Sequence, residues 1–168
     1  MKVVLISIAM LGLSTSCRPG YFETPSVVGL EGRSNGWSAL VPLCSGDGIS
    51  SWQMYSSLAE SKDAIELRWS TVEERPDRFV RLVVDPMTLE SGKFNPAEVE
   101  VVSKEGDPTN PSKLVSALVT SRGFADWRTE TISNQPNRWW IATGDSRLRS
   151  VTKDGMWDEL DRVCRSRN

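Results

Sequence analysis

The chain has 168 residues, 39% of them apolar and 25% charged, with 20 Lys and Arg against 22 Asp and Glu and a formal net charge of −2. This balance excludes an intrinsically disordered chain and the basic footprint of a nucleic-acid binder, and the length suits one globular domain. No histidine occurs, so triads built on imidazole, histidine zinc sites and histidine pH switches are excluded as well.

At the N-terminus, Lys2 precedes the 11-residue apolar run Val3 to Leu13 and the small residues Ser14-Thr15-Ser16. This order predicts a secretory signal over residues 1–16. As a helix the run would span roughly 17 Å, about half of a hydrocarbon core, which is too short for a permanent span. Small residues leading to Cys17 resemble a bacterial lipoprotein signal, departing from its usual pattern in that Ser14 stands three before the cysteine and Leu13 four before it. The resemblance covers this segment alone. It implies a mature N-terminus at Cys17, acylated with palmitate-type chains that hold the protein to a membrane outside the cytoplasm, each buried methylene contributing about 0.8 kcal/mol. Cleavage without lipid, giving a secreted protein, is the alternative. Residues 17–25, with Arg18-Pro19-Gly20 and Thr24-Pro25, read as a tether, and residues 26–168 as a single β-rich domain.

With Cys17 assigned to the lipid, Cys44 and Cys164 remain of the three cysteines. An oxidising compartment would let them pair, and a disulfide between them is expected. On the chain-entropy model a loop of this size is worth about 4–5 kcal/mol.

Along the domain, apolar residues recur mainly at period two between Gly, Pro, Asp and Asn, the pattern of half-buried antiparallel strands. Strands are expected at 37–43, with Pro42 marking an edge or a bend, and at 49–55, where Trp52 shares a face with Met54. In 64–72, Ile65, Leu67 and Trp69 alternate with Glu66, Arg68 and Ser70. A turn at 73–77 would join this strand to 78–85 as a hairpin. Another strand is expected at 98–102, then a long loop at 106–111. Segment 113–121 favours a strand returning through 124–132, although Asn110 and Pro111 could instead start a helix over 111–121. A strand at 138–143 follows. Thr152 caps a helix over 153–165, which places Met156, Leu160, Val163 and Cys164 on one side. The expected fold is an all-β antiparallel sandwich of about six to eight strands with a C-terminal helix, the alternative being α+β.

Chemical motifs are weak. Ser150-Val151-Thr152-Lys153 fits S-x-x-K, but neither S-D-N nor K-T-G accompanies it. Glu73-Glu74 and the acids Asp145, Asp154, Asp158 and Asp161 would serve a glycosidase only if two of them faced one another across a cleft. The Gly-Asp pairs at 46–47, 106–107 and 144–145 are turns, since none lies in an EF-hand loop. No catalytic residue, metal site or cofactor is assigned. The 7 tryptophans stand out. If Ile141 marks the inner face of its strand, Trp139 points inward and Trp140 outward beside Arg138, where the pair could bind a glycan or an envelope protein unless the terminal helix covers it. The reading is a lipid-anchored extracytoplasmic binding or accessory domain without enzymatic activity, with no nucleic-acid partner. A small envelope hydrolase using paired carboxylates, and a structural interaction module, are the alternatives.

Overall fold

Period-two alternation builds most of the elements in the computed structural model, which describes residues 26–44, 48–58, 60–69, 79–94, 99–120, 123–144 and 146–165. The signal, Cys17, the tether and the turn at 73–77 lie outside these residues. In chain order the elements are β1 (Val28–Arg33), β2 (Gly36–Pro42), β3 (Ile49–Ser56), β4 (Ala64–Trp69), β5 (Phe79–Val84), α1 (Pro86–Ser91) and β6 (Val99–Glu105). A single 3-10 turn (Pro111–Lys113) then leads into β7 (Leu114–Thr120), β8 (Gly123–Arg128), α2 (Glu130–Ser133), β9 (Trp139–Ala142), β10 (Leu148–Val151) and α3 (Lys153–Arg165). The strands form two five-stranded antiparallel sheets, ordered β10-β9-β1-β2-β5 (sheet A) and β6-β4-β3-β7-β8 (sheet B). The expected sandwich with a terminal helix is the fold observed.

The expected hairpin of 64–72 with 78–85 does not form. β4 pairs with β3 and β6 in sheet B, whereas β5 pairs with β2 in sheet A. Both strands alternate, and the crossover lets each supply one wall of the same core: Ile65, Leu67 and Trp69 from one sheet, Val80, Leu82 and Val84 from the other. Period-two patterning specifies which side of a strand is buried, not which strand lies beside it. Pro42 likewise marks no edge, since β2 lies inside sheet A and Pro42 occupies its last rung, opposite Phe79. Segment 114–120 is a strand, and Asn110 caps only the short turn before it, its side chain accepting from the Ser112 amide at 3.0 Å. β8 ends at Arg128, short of the expected 132, because Thr129 to Ser133 turns into α2.

Between the sheets, Trp37, Trp52, Trp69 and Trp127 pack as a quartet. Trp52 is its hub, with ring centroids 6.2, 5.9 and 5.6 Å from Trp37, Trp69 and Trp127. Trp127 stands nearly perpendicular to both Trp37 and Trp52, at 85° and 75°, the edge-to-face arrangement that suits aromatic quadrupoles. None of the four indole N–H groups has a hydrogen-bond partner in the structure, so these rings contribute as apolar volume.

Sheet A is covered on both faces. Its outer side carries α3, whose two buried residues, Met156 and Leu160, pack with Leu40 and Ile141 in a second cluster separate from the sandwich core. Gly29 of β1 makes the seat. A Cβ there would lie 2.9 Å from both Leu160 Cδ1 and Met156 Sδ, so the helix rests on bare backbone. Thr152 starts α3, its hydroxyl accepting from the Gly155 amide at 3.1 Å, as the sequence predicts.

Candidate functional site

The outer face of sheet A concentrates the half-buried aromatic and charged groups. Strand register aligns Val151, Trp139, Glu31, Ser38 and Val83 in one row across all five strands. The adjacent row runs Arg149, Ile141, Gly29, Leu40 and Arg81, and α3 lies over its centre. Glu31 is held by two donors on one oxygen, the Ser38 hydroxyl at 3.0 Å and Arg81 Nη1 at 3.1 Å. The Ser38 side chain is fully buried although it stands on the outer side. Because the Glu31 and Arg81 side chains are 24% and 44% exposed, their ion pair fixes the carboxylate's position more than it stabilises the fold. Phe79 meets Trp157 edge-on at 5.3 Å, and Arg149 and Arg162 both reach Glu159 at 3.3 Å. The arrangement is a shelf beside α3 that brings together the half-buried Trp139 indole, a fixed carboxylate and a guanidinium.

At the end of α3, Cys164 is bonded to Cys44, with Cα atoms 5.3 Å apart and a sequence separation of 120. The expected pair is therefore formed, joining the last turn of α3 to the chain just beyond β2. Both cysteines are half-buried.

Trp140 corrects the expected orientation. It is 4% exposed and belongs to the sandwich core, while Trp139 is half-buried on the outer face with Ile141. Ile141 is a poor marker of the inner face because α3 makes the outer face apolar too. A ring buried to that degree offers no platform to a ligand, and Arg138, exposed ahead of β9, shares no surface with it; the Arg138 backbone carbonyl accepts from the Gly32 amide at 2.9 Å. The outward tryptophan is Trp139, and it is partly covered by the terminal helix.

Among the other candidates, Ser150 and Lys153 are both exposed, as are Asp154 and Asp158. Glu73, Glu74 and Asp145 lie outside the described residues. Among the described residues no three His, Cys, Asp or Glu side chains are grouped to hold a metal ion, and no helix is long and apolar enough to cross a membrane. Among the described residues, Asp63 is the carboxylate with a displaced pKa. Hydrogen bonding to Ser61, and then to the Asp107 amide at 2.9 Å, holds it below the ordinary aspartate value.

Two polar contacts have no signal in the sequence. The Glu31, Ser38 and Arg81 group draws on three strands, and the Asp126 carboxylate of β8 accepts from both the amide and the hydroxyl of Ser146, tying sheet B to the β9–β10 turn. The first joins positions that strand register brings together, the second positions that the packing of the two sheets brings together. Comparison with protein-family models, with curated proteins and with solved structures finds no match to this chain.

Proposed function

We propose that this protein is an extracytoplasmic binding or accessory domain, held to a membrane by acyl chains on Cys17, and that its role is to hold a partner rather than to transform a substrate. The observation that carries the reading is the Cys44–Cys164 bond. Such staples persist where the compartment is oxidising and are rare where cellular thiols keep cysteines reduced. The leader-like residues 1–16 and the small residues before Cys17 fit the same address.

The described domain starts at Ser26, whose amide donates to the Phe124 carbonyl at 3.1 Å and whose hydroxyl bonds that of Thr120 at 2.8 Å. Eight residues, Arg18 to Pro25, separate this fixed point from the acylated cysteine. Fully extended, they reach roughly 30 Å. The domain would therefore stay close to the bilayer, with the shelf of Trp139, Glu31 and Arg81 available to an envelope protein or a glycan.

Metabolic labelling with an alkyne fatty acid, combined with intact mass of the mature chain, tests the proposal. The expected product starts at Cys17, carries acyl chains and partitions with membranes, and Cys17→Ala loses both label and membrane association. An uncut, unlabelled chain retained in the cytosol overturns it.

A further inference from the structure

We infer that the Cys44–Cys164 bond is a redox latch on α3, and that a dithiol reductant releases the helix from sheet A while the sandwich stays folded. The inference rests on the separation of the two apolar clusters and is independent of how the chain is anchored. The sandwich core contains no residue of α3. The helix closes a second, smaller cluster on the far side of the same sheet, where only Met156 and Leu160 of its 13 residues are buried. It belongs to neither sheet and is the last of the described elements, so undocking it breaks no strand pairing among them. A peripheral element with a small private core is the kind of unit that opens locally below the free energy of global unfolding.

The bond acts where that opening would start. Cys164 lies in the last turn of α3, and the bond ties that turn to the end of β2, so both ends of the helix are covalently held: one by the chain leaving β10, the other by sulfur. In the reaction a thiolate of the dithiol attacks one sulfur of the pair. The Cys44–Cys164 bond breaks as a mixed disulfide forms, and the second thiol of the reductant then displaces the protein sulfur. Two electrons and two protons pass to the protein, which ends with two thiols, and the dithiol ends as a disulfide. Both cysteines are half-buried, and neither belongs to the sandwich core. Once free at its end, α3 is held by Met156, Leu160, the Trp157–Phe79 contact and the solvent-exposed Arg149–Glu159 ion pair. Its departure uncovers Gly29, Leu40 and Ile141, flanked by Trp139 and Phe79, as an apolar strip on sheet A.

Amide hydrogen exchange by mass spectrometry on the full-length protein, oxidised and after dithiothreitol, tests this, with near-UV circular dichroism reporting the tryptophan quartet. Expected is exchange across 153–165 accelerated on the order of tenfold or more, with β3 and β7 still protected and the quartet signal retained. The double variant Cys44→Ser with Cys164→Ser should behave the same way without reductant. Unchanged protection of α3 on reduction overturns the latch. So does loss of the quartet signal together with α3, in either the reduced protein or the variant, because helix and sandwich would then be one cooperative unit.

Discussion

Trp139 and Trp140 are adjacent in β9 and lie in different cores, the first under α3 and the second between the sheets. Sheet A is thus a central layer with an apolar contact on each side, and the two indoles measure how much each contact contributes. Trp140→Ala should cost about 3–5 kcal/mol, as large-to-small changes in a closed core do. Trp139→Ala removes a half-buried ring and should cost about 1–2 kcal/mol. Urea unfolding of both variants checks the order, and equal losses would contradict the layer assignment.

Gly29→Ala introduces a methyl 2.9 Å from Leu160 Cδ1 and Met156 Sδ. In an open strand this change would stabilise modestly through the unfolded state. Here both side chains must move and the helix lifts, so a loss of about 1–3 kcal/mol is expected. A gain in melting temperature would show that α3 does not rest on this position.

Asp126→Ala removes the acceptor for the Ser146 amide, which it binds at 3.1 Å, and for the Ser146 hydroxyl. The contact is exposed, so the expected cost is small, about 0.5–1.5 kcal/mol. Its effect should be local: faster amide exchange in 143–147 with β3 and β7 unchanged. Uniform acceleration across both sheets would assign Asp126 a larger part in holding the sheets together.

The Asp63 carboxylate, held below the ordinary value of 3.8 first by Ser61 and then by the Asp107 amide, links stability to acid. Where a folded pKa is lowered, the unfolded chain binds more protons in the interval between the two values. The contribution is therefore complete above the ordinary value and disappears as pH falls through the folded one. Asp63→Asn should flatten this part of the acid limb in urea midpoints measured from about pH 5 downward, with no difference in slope above it. Parallel acid limbs for the two proteins would remove Asp63 from the account.

Much of the sandwich is legible in the sequence because burial is a property of single strands. Ile65, Leu67 and Trp69, or Trp52 and Met54, announce their inward side by alternation alone, and all of them are buried. β1 escapes this reading. Its Val28-Gly29-Leu30-Glu31-Gly32 mixes two glycines into the alternation, and the reason for Gly29 is a helix more than 120 positions away in the chain. β9 misleads for a related cause: Ile141 marks an inner face only when the outer one is wet, and α3 dries it. The candidate shelf is half legible: the sequence predicts an outward tryptophan in this strand, but the ring that faces outward is Trp139 and not Trp140.

Local chemistry was therefore determined by the sequence itself: period-two strands, the Thr152 cap, the amphipathic face of α3 and two cysteines suited to one another once Cys17 is set aside. These follow from interactions within a few residues, or from counting. The tertiary structure alone decided that β4 and β5 belong to opposite sheets, that Trp140 is the inner ring and that Glu31, Ser38 and Arg81 meet. Those outcomes depend on strand partners and on what covers each face, and hydrophobic burial, being non-directional, specifies that a face is covered without specifying by what.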